Sequence, residues 1–246
     1  MNGLVLLHGF PHTPRLWDEV LPQLRRTHHV LTPDTVAGGD AMSLAEQVAT
    51  EMAEAGMRTA DVVAIDAGVP VALVLALTRP ALVTRLVVME ALAGALPGAE
   101  SFLAKGAPWW FGFHQVPDLA ETVLEGHERE YVEWFLQAGT AARRGIDPAL
   151  TDAFVAAYTG RDRLAAGFAH YRAMPANAVA ISALTSERSL SMPTLAIGAR
   201  PVGPALGAQL SRVTDDLTTI QLDHCGHLIP LDAPDRLLAA LVPFLS

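Results

Sequence analysis

A rhythm that starts, stops and starts again constrains this chain more than any other feature. Short apolar runs at 3–7, 29–32, 61–65 and 86–90 alternate with helical patterns at 13–26, 43–56 and 68–77, the second of them with Ser43 placed as its N-cap. Parallel strands cannot be joined by tight hairpins, so each needs a crossover, and crossover helices cover both faces of the sheet they build. From about residue 96 to residue 184 no strand pattern occurs; helical periodicity is found around 97–107, 118–138, 147–158 and 161–174. The alternation then resumes with a strand at 194–198, a helix at 205–212, a strand at 218–222 and a helix at 233–244. The expected fold class is therefore α/β: a mostly parallel sheet with helices on both faces and an inserted all-helical cap. The core would be residues 1–95 and 188–246, and the cap 96–187.

Composition limits what such a chain does. Of its 246 residues 51% are apolar and 17% charged, enough to bury a large core and too apolar for a disordered chain. Net charge is −9, and no Lys/Arg cluster goes beyond pairs such as Arg25-Arg26 and Arg143-Arg144, so the concentrated positive charge that phosphate neutralisation requires is missing and no nucleic-acid partner is expected. The single cysteine, Cys225, permits no intrachain disulfide, which makes a reducing cytoplasm the default location. The first residues have neither the basic flank nor the apolar length of a signal peptide, and the apolar stretch at 69–84 is too short to span a bilayer and is interrupted by Pro70 and Arg79. No membrane partner is expected; homodimer formation is left open.

Three motifs carry chemistry. The turn Ala64-Ile65-Asp66-Ala67-Gly68 joins a strand to a helix with small residues on either side of Asp66. A nucleophile elbow needs such small residues because the nucleophile sits on a cramped turn, and the helix N-terminus behind it favours an anion. Taken alone, the same residues also describe an ordinary turn with Asp as helix cap. The second motif, His8-Gly9-Phe10-Pro11, follows the first strand directly. In an elbow fold that loop supplies one backbone N–H of an oxyanion hole, here Phe10, and the residue after the nucleophile, Ala67, supplies the other. The third, His224-Cys225-Gly226-His227, follows the last strand and places His227 where a catalytic base comes after the nucleophile in chain order. A zinc site at either His cluster lacks ligands: His8 and His12 lie in a loop, and there is only one cysteine, so no metal and no cofactor are expected.

Together these motifs resemble the α/β-hydrolase superfamily and, within it, the epoxide hydrolases and hydrolytic dehalogenases, which share an HGFP loop, an aspartate at the elbow and a late Gly-His. The resemblance covers the whole chain and implies a cis Phe10-Pro11 peptide. It also implies that the first two strands usual in relatives are missing, because HGFP begins at residue 8; either the edge is shorter or the true start lies upstream. Many relatives carry the acid partner after the strand equivalent to 194–198, but here Ala199-Arg200-Pro201-Val202-Gly203 holds no carboxylate. The run Val87-Val88-Met89-Glu90-Ala91 is similar to one in some epoxide hydrolases whose Glu orients the histidine, which selects Glu90 over Asp223 or Asp232. By the same resemblance Tyr171 in the cap donates to the epoxide oxygen. Trp110 stands where the family often has His, and its indole N–H can polarise an oxygen but cannot transfer a proton. Trp109 and His114 are expected to bind substrate.

The implied reaction opens an epoxide on a hydrophobic small molecule to a vicinal diol through an ester on Asp66. A hydrolytic dehalogenase is the alternative, although haloalkane dehalogenases usually place Trp where this chain has Ala67, and haloacetate dehalogenases use a His-Trp-Tyr set whose His is missing here. A third reading is an altered relative in secondary metabolism, since the elbow reads Ile65-Asp66-Ala67-Gly68-Val69 where the family more often reads His-Asp-Trp-Gly-Gly.

Overall fold

A computed structural model describes residues 2–35, 39–104 and 106–246. Six strands, β1 Asn2–Leu7, β2 His28–Leu31, β3 Ala60–Ile65, β4 Val83–Met89, β5 Thr194–Gly198 and β6 Leu217–Gln221, form one sheet in the order β2-β1-β3-β4-β5-β6. Every neighbouring pair is parallel. The central strand β3 is buried along its whole length, as expected of a parallel strand covered on both faces, whereas the edge strands β2 and β6 are only partly buried. Successive side chains point to opposite faces, and the core divides accordingly. Leu4, Leu6, Val63, Ile65, Val87 and Met89 pack on one face; Val5, Leu7, Val62, Ala64, Leu86 and Val88 pack on the other.

The helices are α1 Leu21–Leu24, α2 Ala41–Glu54 and α3 Gly68–Thr78 between the early strands, then α4 Glu100–Leu103, α5 Trp109–Gln115, α6 Leu119–Leu124, α7 Glu128–Ala138, α8 Pro148–Ala157 and α9 Arg161–Glu187 between β4 and β5. After β5 come α10 Ala205–Leu210, α11 Ile229–Asp232 and α12 Pro234–Phe244. Among the described residues no helix is long and apolar enough to cross a membrane.

Several helix limits differ from the sequence reading. The stretch 13–26 is a 3-10 turn, Pro14–Trp17, followed by α1, because Pro22 in the first turn of α1 has no N–H and its ring excludes a helix running in from residue 18. The cap of α2 is Asp40, whose carboxylate accepts the Ser43 N–H at 2.8 Å, so Ser43 is inside the first turn. The stretch 118–138 breaks into α6 and α7 at Gly126, which has φ +86°. Helix α9 does not stop at Met174 but runs 27 residues, through Pro175; tertiary packing against α3, α5 and α6 holds a helix that local sequence would end. The helix expected over 97–107 shrinks to α4, with Lys105 outside the described residues, and α5 forms where none was expected.

Candidate active site

Three loops at the C-terminal ends of β3, β4 and β6 bring the polar groups together. β3 ends in Asp66, whose φ of +54° is the left-handed conformation that a non-glycine residue adopts only under strain. That turn needs its small neighbours. A Cβ on Gly68 would stand 2.8 Å from the Leu7 and His8 carbonyl oxygens, and one on Gly9 would overlap the Asp66 carboxylate. β4 ends in Glu90, also left-handed at φ +46°. The loop after β6 carries His227.

The hydrogen bonds among these loops form one chain. Phe10 N–H donates to Asp66 Oδ1 at 2.9 Å, and the Phe10-Pro11 peptide is cis, as the resemblance implied. His227 Nε2 lies 3.2 Å from Asp66 Oδ2, and His227 Nδ1 lies 3.4 Å from Glu90 Oε2. Glu90 is fully buried and accepts the Ala199 N–H at 2.6 Å and the Val202 N–H at 3.3 Å. The loop after β5 holds no carboxylate, and its backbone instead anchors the carboxylate that comes from β4. Ala67 follows Asp66 and lines the same cavity.

The other two acids take no part. Asp223 is exposed. Asp232 Oδ2 accepts N–H groups from Gly226 at 2.7 Å and from Ala141 at 2.9 Å, and its Oδ1 meets Arg144. Leu228 N–H also donates to Gly139 O at 2.9 Å. These bonds join the His227 loop to the chain that follows α7.

Charge follows from this geometry. Burial alone would depress the His227 pKa, but hydrogen bonds and charge from Asp66 and Glu90 outweigh it and hold the imidazole at about 10. Burial would likewise raise Asp66; the His227 bond and charge, His170 and the Phe10 N–H hold it far below the ordinary carboxylate range instead. The free protein therefore carries an Asp66 carboxylate paired with a His227 imidazolium at neutral pH.

Above Asp66 lies a cavity of about 450 Å³. Its walls are mainly apolar, including Pro70, Leu92, Phe102, Phe111, Phe135 and Met174. Tyr171 and Trp110 both line it, and neither the phenol hydroxyl nor the indole N–H has a hydrogen-bond partner among the described residues. Burial, with Asp66 next, pushes the Tyr171 phenol well above its usual pKa, so the hydroxyl keeps its proton.

Two residues expected to bind substrate are elsewhere. Trp109 is 55% exposed and turns away from the cavity, its ring packed edge-on against Trp110 and Trp134. His114 is fully buried, stacked on Phe168 at 4.2 Å, with Nε2 2.5 Å from the Tyr131 hydroxyl. Burial lowers its pKa to about 3, with His170 and Arg172 adding to the effect. Phe10 and Tyr171, which do line the cavity, pack against its ring; His114 supports Tyr171 from behind.

Sequence reasoning passed over His12, His170 and Asn177, all of which line the cavity. The last two had a signal in α9: His170, Tyr171, Met174, Asn177, Ala178 and Ile181 fall on one helical face, and all six line the cavity. Among the described residues no group of three or more His, Cys, Asp or Glu side chains is arranged to hold a metal ion.

Comparisons with known proteins agree with this architecture. Residues 4–240 match the profile of the Alpha/beta hydrolase family. Cfl2 from Burkholderia cenocepacia superposes with a TM-score of 0.90 at 29% identity, covering 100% of this chain and 88% of that one. The Cif epoxide hydrolase from Acinetobacter nosocomialis gives 0.89 at 22%, covering 100% and 82%, and the epoxide hydrolase CorEH gives 0.87 at 20%, covering 99% and 91%. A profile match over nearly the full length, on a parallel six-stranded sheet with its polar loops at one end, settles the lineage: the chain belongs to the α/β-hydrolase family.

Proposed function

We propose that the protein opens an epoxide on a hydrophobic small molecule to a vicinal diol through an ester on Asp66. One observation carries the reading: a carboxylate, not a hydroxyl, occupies the strained elbow, with His227 and Glu90 behind it and an unpartnered Tyr171 hydroxyl in the cavity above. A carboxylate needs no deprotonation to attack saturated carbon, provided the leaving oxygen is stabilised.

In the first step Asp66 Oδ2 forms a bond to an epoxide carbon, the carbon–oxygen bond of the ring breaks, and the released oxygen takes the Tyr171 proton. Oδ1, already held by Phe10 N–H, becomes the ester carbonyl oxygen. Esterification removes the negative charge and the hydrogen bond that keep His227 protonated. The imidazolium then loses its proton to solvent, the phenolate regains one, and the imidazole becomes the base the second step needs. His227, oriented by Glu90, takes a proton from water as that water attacks the ester carbonyl carbon. Phe10 and Ala67 N–H groups hold the oxyanion. Collapse breaks the ester bond, His227 returns the proton to the departing diol oxygen, and Asp66 is regenerated.

A single turnover of an aryl epoxide in heavy-oxygen water tests this directly. Label in the Asp66 carboxylate with unlabelled diol is expected. Unlabelled Asp66 with labelled diol means direct attack by water and rejects Asp66 as nucleophile. Halide release from a haloalkane or haloacetate, with no diol from any epoxide, moves the reading to the dehalogenases.

A further inference from the structure

The long helix α9 carries more than the Tyr171 hydroxyl into the cavity. Six residues further along the same face is Asn177, only 8% exposed. Its orientation is fixed: Oδ1 accepts the N–H of Ala41, the first residue of α2, at 2.9 Å. The helix is held close there, with Ala178 against Gly94, where a Cβ would stand 3.1 Å from the Ala178 Cα. Because the oxygen is occupied by Ala41, the amide NH2 takes the other direction. It has no hydrogen-bond partner among the described residues and is not sealed in the protein interior, and Asn177 lines the cavity. A donor that opens on a cavity and has no protein partner is available to an acceptor bound there.

We propose that Asn177 is a second polar subsite, which takes a neutral carbonyl oxygen of the substrate roughly 9 Å from the epoxide, the axial distance spanned by the six residues from Tyr171 to Asn177. An amide NH2 is a donor only, so it suits a group that only accepts. The group is neutral because no lysine or arginine lines the cavity among the described residues, while Asp66 and Glu90 do. A carboxylate would enter a largely apolar cavity whose one cation, the His227 imidazolium, is already paired with Asp66 and Glu90. The apolar lining, which includes Met174, Ala178 and Leu92, fits a hydrocarbon linker. The inference deepens the epoxide reading and rests on it for which end of the ligand reacts.

The test uses two straight-chain terminal epoxides of equal length, one with a ketone roughly 9 Å from the ring and one with a methylene there. Wild-type kcat/KM is expected to be about tenfold higher for the ketone, the size of one buried neutral hydrogen bond. In Asn177→Asp an oxygen still accepts from Ala41, and the N-terminus of α2 favours its ionised form, but the donor is gone; the ratio is expected to fall to one or below. A wild-type ratio of one, or a ratio unchanged in the variant, overturns the proposal. The diols of the same two compounds, compared by calorimetry, separate this proposal from the function it rests on. If neither epoxide turns over yet the ketone diol binds about tenfold more tightly, the subsite stands and the epoxide reading falls; equal binding of the diols overturns the subsite. Should Asn177→Asp not fold, the wild-type comparison and the two diols decide.

Discussion

The two walls of the cavity are built in opposite ways. On the sheet side every charged group is fully engaged: Asp66 has Phe10 and His227, His227 has Asp66 and Glu90, and Glu90 has Ala199 and Val202. On the helical side three polar groups, Tyr171, Trp110 and His170, are embedded in aromatic rings and have no hydrogen-bond partner among the described residues. The first wall is rigid because its hydrogen bonds fix it before any ligand arrives. The second is held by packing and leaves its donors for the ligand. In the proposed reaction the sheet side forms and hydrolyses the ester, and the helical side receives the oxygen that leaves.

That division is broken most severely by His227→Gln. Alkylation of Asp66 is expected to continue while hydrolysis falls by roughly a thousandfold, so mass spectrometry should find the ester accumulated after one turnover. If diol release slows without trapped ester, His227 serves the first step instead. Tyr171→Phe should do the reverse, slowing ester formation by about a hundredfold with hydrolysis of preformed ester unchanged in stopped-flow traces. Trp110→Phe keeps the aromatic packing and removes only a donor that cannot give up a proton; a loss of about fivefold or less in kcat/KM is expected, and a loss equal to that of Tyr171→Phe would make the two donors equivalent.

The last effect is on stability rather than on rate. His227 is raised from 6.5 to about 10 in the folded protein. Its contribution is therefore fully present below pH 6.5 and is lost as pH rises through 10. Melting temperatures should fall across that window in the wild type, and the part of the slope due to His227 should vanish in His227→Gln. A slope unchanged by the substitution would mean that the imidazolium pair with Asp66 contributes nothing to folding.

What was legible in the sequence follows the same division. Asp66, Phe10 and His227 belong to strand–loop–helix units whose geometry is set within a few residues, so their convergence could be anticipated from chain order. Glu90 was legible only by resemblance, because a glutamate at a strand end has no local mark of its φ of +46°. The cap was legible as helices and not as surfaces. Trp109 and Trp110 are adjacent, yet one faces outward and the other lines the cavity, and only the packing of α5 on α9 decides which. His114 was misplaced for the same reason, and Asn177 was missed because the helical pattern read from sequence ends at residue 174, whereas tertiary contacts carry α9 through Pro175 to Glu187.

The bonds made by Asp232 bear on how such a protein could be rebuilt. Its carboxylate ties Gly226 to Ala141, and Gly139 O holds Leu228 N–H. A Cβ on Gly226 would run into Gly139, so the two segments meet backbone to backbone. The cap is thus also scaffolding for the loop that carries His227. Transplanting a foreign set of cap helices onto this sheet would change what enters and also unseat His227, unless the graft kept residues 139–144. Swaps that end before that stretch should preserve turnover, and swaps that cross it should lose ester hydrolysis first.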